Sequence, residues 1–282
     1  MRINYHLHNQ YSSDGRGTTE EVCDSALESG FQEICLTNHA EILDPKTNDW
    51  VVDLVEARDR FEQLQQEIER TQPRYPDLRI LLGVEVEFRP EWVESLDALI
   101  DSVDFDLVLG SVHVVDGHQV SGGVNVGAYF RENDATTAYR RYFEVVDEMV
   151  EWGAFDIVSH LDLVKRFGVK YFGPFDPRPL ESRIRALLGK IADRGLGIEV
   201  NTSGAVQAPR EPYPGLSVLR WARETGISTV TIGTDSHVPP SIDQGWESGA
   251  RLLRQAGFAE VTLFSHRVRA NVPLVEVPEE EG

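Results

Sequence analysis

The chain is short of what would tie it to a membrane, a nucleic acid or an oxidising compartment. No apolar run approaches the roughly 18 residues a bilayer-spanning helix needs, so no membrane is expected as a partner. The opening MRINYHLH lacks the basic and apolar regions of a secretory leader, which leads us to expect a cytoplasmic protein. Its two cysteines, Cys23 and Cys35, are too few for a disulfide framework and fit small core residues. Positive charge is scarce: 27 Lys and Arg face 47 Asp and Glu, a net charge of −20. Such a balance argues against a nucleic-acid partner held through its phosphates. It also means that any anionic substrate needs locally concentrated positive charge. No GxGxxG follows the first apolar run, so a dinucleotide-binding sheet gains no support.

What is present is regular alternation. Strand-like runs occur at INYHLH (3–8), EICLTN (33–38), RILLGVEVEF (79–88), FDLVLGSVHVV (105–115), FDIVSH (155–160), GIEVNT (197–202) and TVTIGT (229–234). Helical periods lie between most of them. TTEEVCDSALESGF has Thr18 and Glu21 at capping-box spacing and closes on Gly30; DLVEARDRFEQLQQEIER, TTAYRRYFEVVDEMVEWG and ESRIRALLGKIADRG are amphipathic. Alternating strands and helices with strongly apolar strands predict an α/β fold with parallel strands covered by helices. Seven strands favour a distorted (β/α)7 barrel, TIM-barrel-like, over an open sheet. At 282 residues with 41% hydrophobic content, the whole of 1–282 is expected to be one such domain. The Pro-rich APREPYPG (208–215) reads as a surface loop, and the tail EVPEEEG as a frayed, charged end.

The histidines carry the chemistry. Of eight, six fall at or just beyond the last apolar residue of a strand: His6, His8, His39, His113, His160 and His237. Glu85 (or Glu87) and Asp235 share that position. In a parallel barrel these strand ends open on one face, where active sites assemble. A lone histidine at a strand end is ordinarily a hydrogen-bonded structural residue, but six at one rim point to a common purpose. His6 and His8, two apart, lie on the same side of one strand, where imidazoles either repel or share a cation. Imidazole with carboxylate suits Zn²⁺, Fe²⁺ or Mn²⁺. The set exceeds what one ion can use, so a polynuclear centre is expected, of the kind that activates water against phosphorus or carbonyl centres.

On HLH, TNHAE, GVEVEF, GSVH, SHLDLVKRFG, NTSG and GTDSH, in that order, the sequence resembles the PHP (polymerase and histidinol phosphatase) superfamily and, within it, the monofunctional histidinol-phosphate phosphatases. The resemblance implies a barrel holding three divalent ions (Zn, Fe or Mn). His6, His8, Glu85 and Asp235 would hold the first. Glu85 would bridge to a second with His113 and His160, and Asp14, His39 and His237 would hold the third. Asp14 stands where many relatives carry histidine, and it could instead be a turn residue before Gly15.

The implied activity is hydrolysis of L-histidinol phosphate, a small phosphate monoester, to L-histidinol and phosphate. A metal-bridging hydroxide would attack phosphorus, with Glu85 and Asp235 central to the catalytic site. Arg166 is the candidate phosphate clamp, its planar fork suiting phosphate oxygens; a surface charge beside Lys165 is the plainer reading. Relatives often carry a basic residue soon after NTSG, where this chain has Val206, so Arg210 is a second candidate. Glu41 could meet the substrate's cationic amine or orient His39. Glu87 could cap a strand end, Asp162 a turn, and His118 and His266 look structural. Three alternatives share some of these features: a PHP-type phosphoesterase for nucleotides or other small esters, a barrel amidohydrolase, and an inactive binding relative.

Overall fold

All seven apolar runs form strands in the computed structural model, which describes residues 1–43, 50–122 and 125–277. They are β1 (Ile3–Leu7), β2 (Glu33–Leu36), β3 (Arg79–Glu87), β4 (Leu107–Ser111), β5 (Ile157–Val158), β6 (Gly197–Asn201) and β7 (Val230–Gly233). They lie in sequence order in one seven-stranded sheet, each neighbour parallel. The chain then returns to its start. Asp235 N donates to His6 O at 2.9 Å and His8 N to Ser236 O at 2.9 Å, so the sheet nearly closes into a barrel. Strands buried on both faces explain the continuous Val, Ile and Leu runs. Both cysteines are free and buried.

Helices cover the outside where the periods place them. Thr18 caps Thr19–Glu28 with the full capping box, and Asp53 caps Leu54–Thr71 through Val55 N and Glu56 N. Ala135–Trp152 starts on Asp134 and stops at Gly153, whose φ of 68° ends the helix at no steric cost. Among the described residues no helix is long and apolar enough to cross a membrane.

Departures from the sequence expectations cluster at turns. The run 105–115 is not one strand: it ends at Ser111, and Val114–Val115 pairs antiparallel with His118–Gln119 around Asp116 and Gly117, both at positive φ. A further hairpin, Glu260–Ser265 with Val268–Pro273, turns on His266 and Arg267, also at positive φ. It lacks the glycine or asparagine that usually marks such a turn, which is why the periodicity did not reveal it. It packs under the barrel, where Arg267 Nε reaches Asp156 at 3.0 Å and Phe264 N donates to Tyr5 Oη at 3.2 Å. The 208–215 segment is only partly a surface loop. Tyr213 is fully buried, and its backbone exchanges both hydrogen bonds with Asn201. The last residues of the EVPEEEG tail, 278–282, lie outside the described residues.

Candidate metal centre

The mouth of the barrel is built from residues at or just past the strand C-termini. β1 contributes His6 and His8, the segment after β2 His39, β3 Glu85, and the turns after β4, β5 and β7 His113, His160, Asp235 and His237. All converge. His6 Nε2 and His8 Nε2 lie 3.2 and 3.5 Å from Glu85 Oε2, and 3.6 and 3.4 Å from Asp235 Oδ1. On the other carboxylate oxygen, Glu85 Oε1 is 2.9 Å from His160 Nε2 and 3.6 Å from His113 Nε2. Asp14 Oδ2 sits 3.3 Å from His237 Nε2 and 3.8 Å from His39 Nε2. Glu85 therefore stands between two histidine groups, with the Asp14 group beside them. A cavity of about 400 Å³ opens over them.

Backbone conformation is unusual where the chemistry sits. His160 (φ 23°) and Asp235 (φ 54°) adopt left-handed conformations that cost non-glycine residues about 1–3 kcal/mol each. Surrounding hydrogen bonds hold them: His160 N donates to Glu199 Oε2 at 3.0 Å and Asp235 N to His6 O. The close approach of β7 to β1 also requires Gly233, since a Cβ there would lie 2.3 Å from that of His6 and 2.0 Å from Glu199 Oε1.

The electrostatics divide the imidazoles. Burial opposes charge on His6, but Glu199, Glu85 and Asp235 outweigh it and hold its pKa well above the ordinary value. His39, likewise buried, is pushed up to about 10 by Glu85 and Glu41. His8 goes the other way, to about 3, through burial and then the adjacent His237 and His39. Glu85 is held well below the usual carboxylate range against its burial, chiefly by His6 and His39.

Three groups of side chains bring ligand atoms within 4.8 Å of one another: His6, His8 and Asp235; His6, Glu85 and His160; and His8, His39 and His237. His8 Nε2, His39 Nδ1 and His160 Nδ1 are buried without a hydrogen-bond partner among the described residues. A buried polar atom left so costs about 1–3 kcal/mol, and at His8 Nε2, which faces Glu85 and Asp235, a cation accepting the imidazole lone pair removes that cost. Nitrogen and carboxylate donors without cysteine suit a divalent first-row metal. The residues fit such ions.

Other expectations resolve by position. Glu87 takes the hydrogen-bonding role: Oε2 accepts from His113 N at 2.8 Å and lies 2.7 Å from His113 Nδ1, and Oε1 accepts from Val114 N at 3.1 Å. Glu41 Oε1 is 3.2 Å from His39 Nδ1, while its buried Oε2 has no hydrogen-bond partner among the described residues. Arg166 lines the cavity. Arg210 does not; it is exposed, and its Nη1 donates to Val206 O at 3.4 Å. Lys165 is no surface charge. It is fully buried, with Nζ donating to Asp162 Oδ2, Glu211 Oε1 and Pro212 O at 2.9–3.0 Å. His118 and His266 lie apart, beside Glu132 and Asp104.

Two residues escaped the sequence reading. Glu199 Oε1 lies 2.8 Å from His6 Nδ1 and supports three neighbours; its signal was a carboxylate inside an apolar strand, GIEVNT. Arg89, just beyond GVEVEF, also lines the cavity.

Fold and site together define a parallel barrel with a metal-binding mouth of histidines and carboxylates. The chain belongs to the PHP domain family, whose profile matches residues 4–203. It is 31% identical over 268 residues to a probable histidinol-phosphatase of Deinococcus radiodurans, covering 93% of this chain and 96% of that one. Identity to a histidinol-phosphatase of Lactococcus lactis is 26% over 274 residues, covering 94% of each. The crystal structure of the histidinol phosphate phosphatase of Lactococcus lactis, complexed with zinc, L-histidinol and phosphate, superposes with a TM-score of 0.82 at 25% identity, covering 95% of this chain and 98% of that one.

Proposed function

We propose that this protein is a metal-dependent phosphomonoesterase that hydrolyses L-histidinol phosphate to L-histidinol and phosphate in histidine biosynthesis. The observation that carries this reading is the cluster at the barrel mouth, where His39, His113, His160, His237, Glu85 and Asp235 line one cavity and the buried His6 and His8 meet Glu85 and Asp235 beneath it, in a chain similar throughout to histidinol-phosphatases. Three ions are assigned: one to His6, His8, Glu85 and Asp235, one to Glu85, His113 and His160, and one to Asp14, His39 and His237. The lactococcal relative holds zinc, and this donor set suits zinc, iron(II) or manganese(II). Bound there, divalent ions would supply water deprotonated near neutral pH and positive charge facing the phosphoryl oxygens.

The chain's own residues prepare that chemistry. By accepting from His6 Nδ1, Glu199 selects the tautomer whose Nε2 lone pair points at Glu85 and Asp235, and Glu87 does the same for His113 through Nδ1. Arg166 offers a guanidinium fork to the phosphate. Glu41 Oε2, which has no hydrogen-bond partner among the described residues, offers an acceptor for the ammonium group of the amino alcohol.

Phosphate release from L-histidinol phosphate, beside a nucleoside monophosphate, tests the proposal. We expect kcat/KM of about 10⁴ M⁻¹s⁻¹ or more for histidinol phosphate, well above the nucleotide. Equal, weak rates would return the substrate to the wider class of phosphate esters. No release from metal-loaded protein would overturn the phosphatase reading.

A further inference from the structure

Two arginines line the cavity, Arg89 and Arg166, and they share an odd feature. Five carboxylates line the same cavity: Asp14, Glu41, Glu85, Glu87 and Asp235. Yet neither guanidinium donates a hydrogen bond to any described residue. The nearest carboxylate to Arg89 is Glu87, whose Oε1 stands 4.0 Å from Nε, beyond hydrogen-bond reach. Arg89 Nε is buried and has no hydrogen-bond partner among the described residues. Glu87 does not need it, since His113 N, His113 Nδ1 and Val114 N already occupy its oxygens.

Each guanidinium instead lies over an aromatic ring. Arg89 lies 4.1 Å from the centroid of the Trp92 ring, and Arg166 lies 5.6 Å from that of Phe167. A cation over a ring face keeps its N–H groups free for an acceptor that no described residue supplies. In a chain of net charge −20, two arginines that hydrogen-bond to none of the carboxylates lining their cavity are matched to an anion that enters it. The sequence offered Arg210 as partner to Arg166, but Arg210 lies outside the cavity lining.

Resting on the phosphatase reading above, we infer that Arg89 is the second arm of a phosphate clamp whose first arm is Arg166. It is a substrate-binding residue that contacts phosphoryl oxygens of the ester and of the product phosphate.

The test compares metal-loaded wild type with Arg89→Met and Arg89→Lys. Calorimetry measures the dissociation constant of inorganic phosphate; kinetics measure KM and kcat for L-histidinol phosphate and for p-nitrophenyl phosphate, which share only the phosphoryl group; elemental analysis measures bound metal. In Arg89→Met, phosphate binding should weaken about 10- to 100-fold, the loss of one or two charge-assisted hydrogen bonds. KM should rise by a similar factor for both esters, with metal content unchanged. Arg89→Lys, a point charge without the fork, should recover part of the loss. Unchanged phosphate affinity would overturn the inference. So would a KM rise confined to histidinol phosphate, which would move Arg89 to the leaving group, or a loss of metal, which would make it a prop for Glu87 and His113. If wild type hydrolyses neither ester, the phosphatase reading falls, and the phosphate affinity of Arg89→Met still decides the role of Arg89.

Discussion

At the N-terminal end of the barrel, Asp156 accepts from Val108 N at 2.9 Å and from Arg267 Nε at 3.0 Å, while Asp106 accepts from Leu82 N and His266 N. At the C-terminal end, His160 Nδ1, Glu41 Oε2 and Arg89 Nε are buried with no hydrogen-bond partner among the described residues, and His8 Nε2 and His39 Nδ1 face carboxylates without a hydrogen bond to them. Both ends bury charge in an apolar shell. The lower carboxylates spend their oxygens on backbone N–H groups and on Arg267, which fixes the hairpin beneath the strands. The upper end leaves several buried polar atoms without a hydrogen bond among the described residues, an arrangement unfavourable for stability alone. The difference separates a structural network from a binding one without reference to any ligand.

The sharpest way to break this contrast is at Glu85, which stands between two histidine groups. In Glu85→Gln, an anionic acceptor shared by His6 and His160 becomes a neutral amide. We expect kcat/KM to fall by about 1,000-fold or more, the scale of losing one preorganised electrostatic contact or worse, with bound metal reduced. Near-wild-type turnover with full metal would refute the central place given to Glu85. Next in size is Glu199→Gln, which keeps a hydrogen-bonding side chain beside His6 but removes its charge. Metal affinity should drop about 10- to 100-fold, measured by competition with a chelator, while thermal stability holds. A large fall in Tm with metal affinity intact would make Glu199 part of the barrel's frame instead.

The lower end supplies the matching control. Arg267→Met deprives the buried Asp156 carboxylate of its cation, leaving Val108 N as a remaining donor. Because Arg267 is itself about a third exposed, we expect a modest loss of about 1–2 kcal/mol in stability, read by denaturant unfolding, with kcat/KM within about twofold of wild type. A strong loss of activity with stability retained would show that the two ends are not separable.

How far all this was legible in the sequence follows from where each signal lies. The seven strands and the convergence of His6, His8, His39, Glu85, His113, His160, Asp235 and His237 could be read, because parallel strands are apolar throughout and polar residues at their ends stand out. The hairpin at 260–273 could not, since its turn uses His266 and Arg267 instead of glycine. Lys165 looked like an ordinary basic residue; its burial depends on Asp162, Glu211 and Pro212, and the last two lie on a segment distant in sequence. Glu199 and Arg89 needed the fold, since only strand register shows which side chain backs His6 and which faces the cavity.

The smallest effect is the most direct test of how the upper end is charged. Burial disfavours protonation of His6, His39, His113 and His237, yet nearby carboxylates raise the pKa of each above the ordinary histidine value. In metal-free protein near neutral pH His6, raised well above the ordinary value, and His39, at about 10, are therefore imidazolium, whereas His8, held down at about 3, is neutral. A ring must be deprotonated to bind a metal through its free nitrogen. The sign follows: zinc binding to metal-free protein should release protons, and apparent affinity should strengthen as pH rises toward the raised pKa values. Calorimetric titration in two buffers of different ionisation enthalpy measures the release, with more than one proton per chain expected at pH 7. Proton-neutral zinc binding would mean that the rings are already neutral, and that the carboxylates at this rim, unlike Asp156 at the base, share their charge with no imidazolium before the metal arrives.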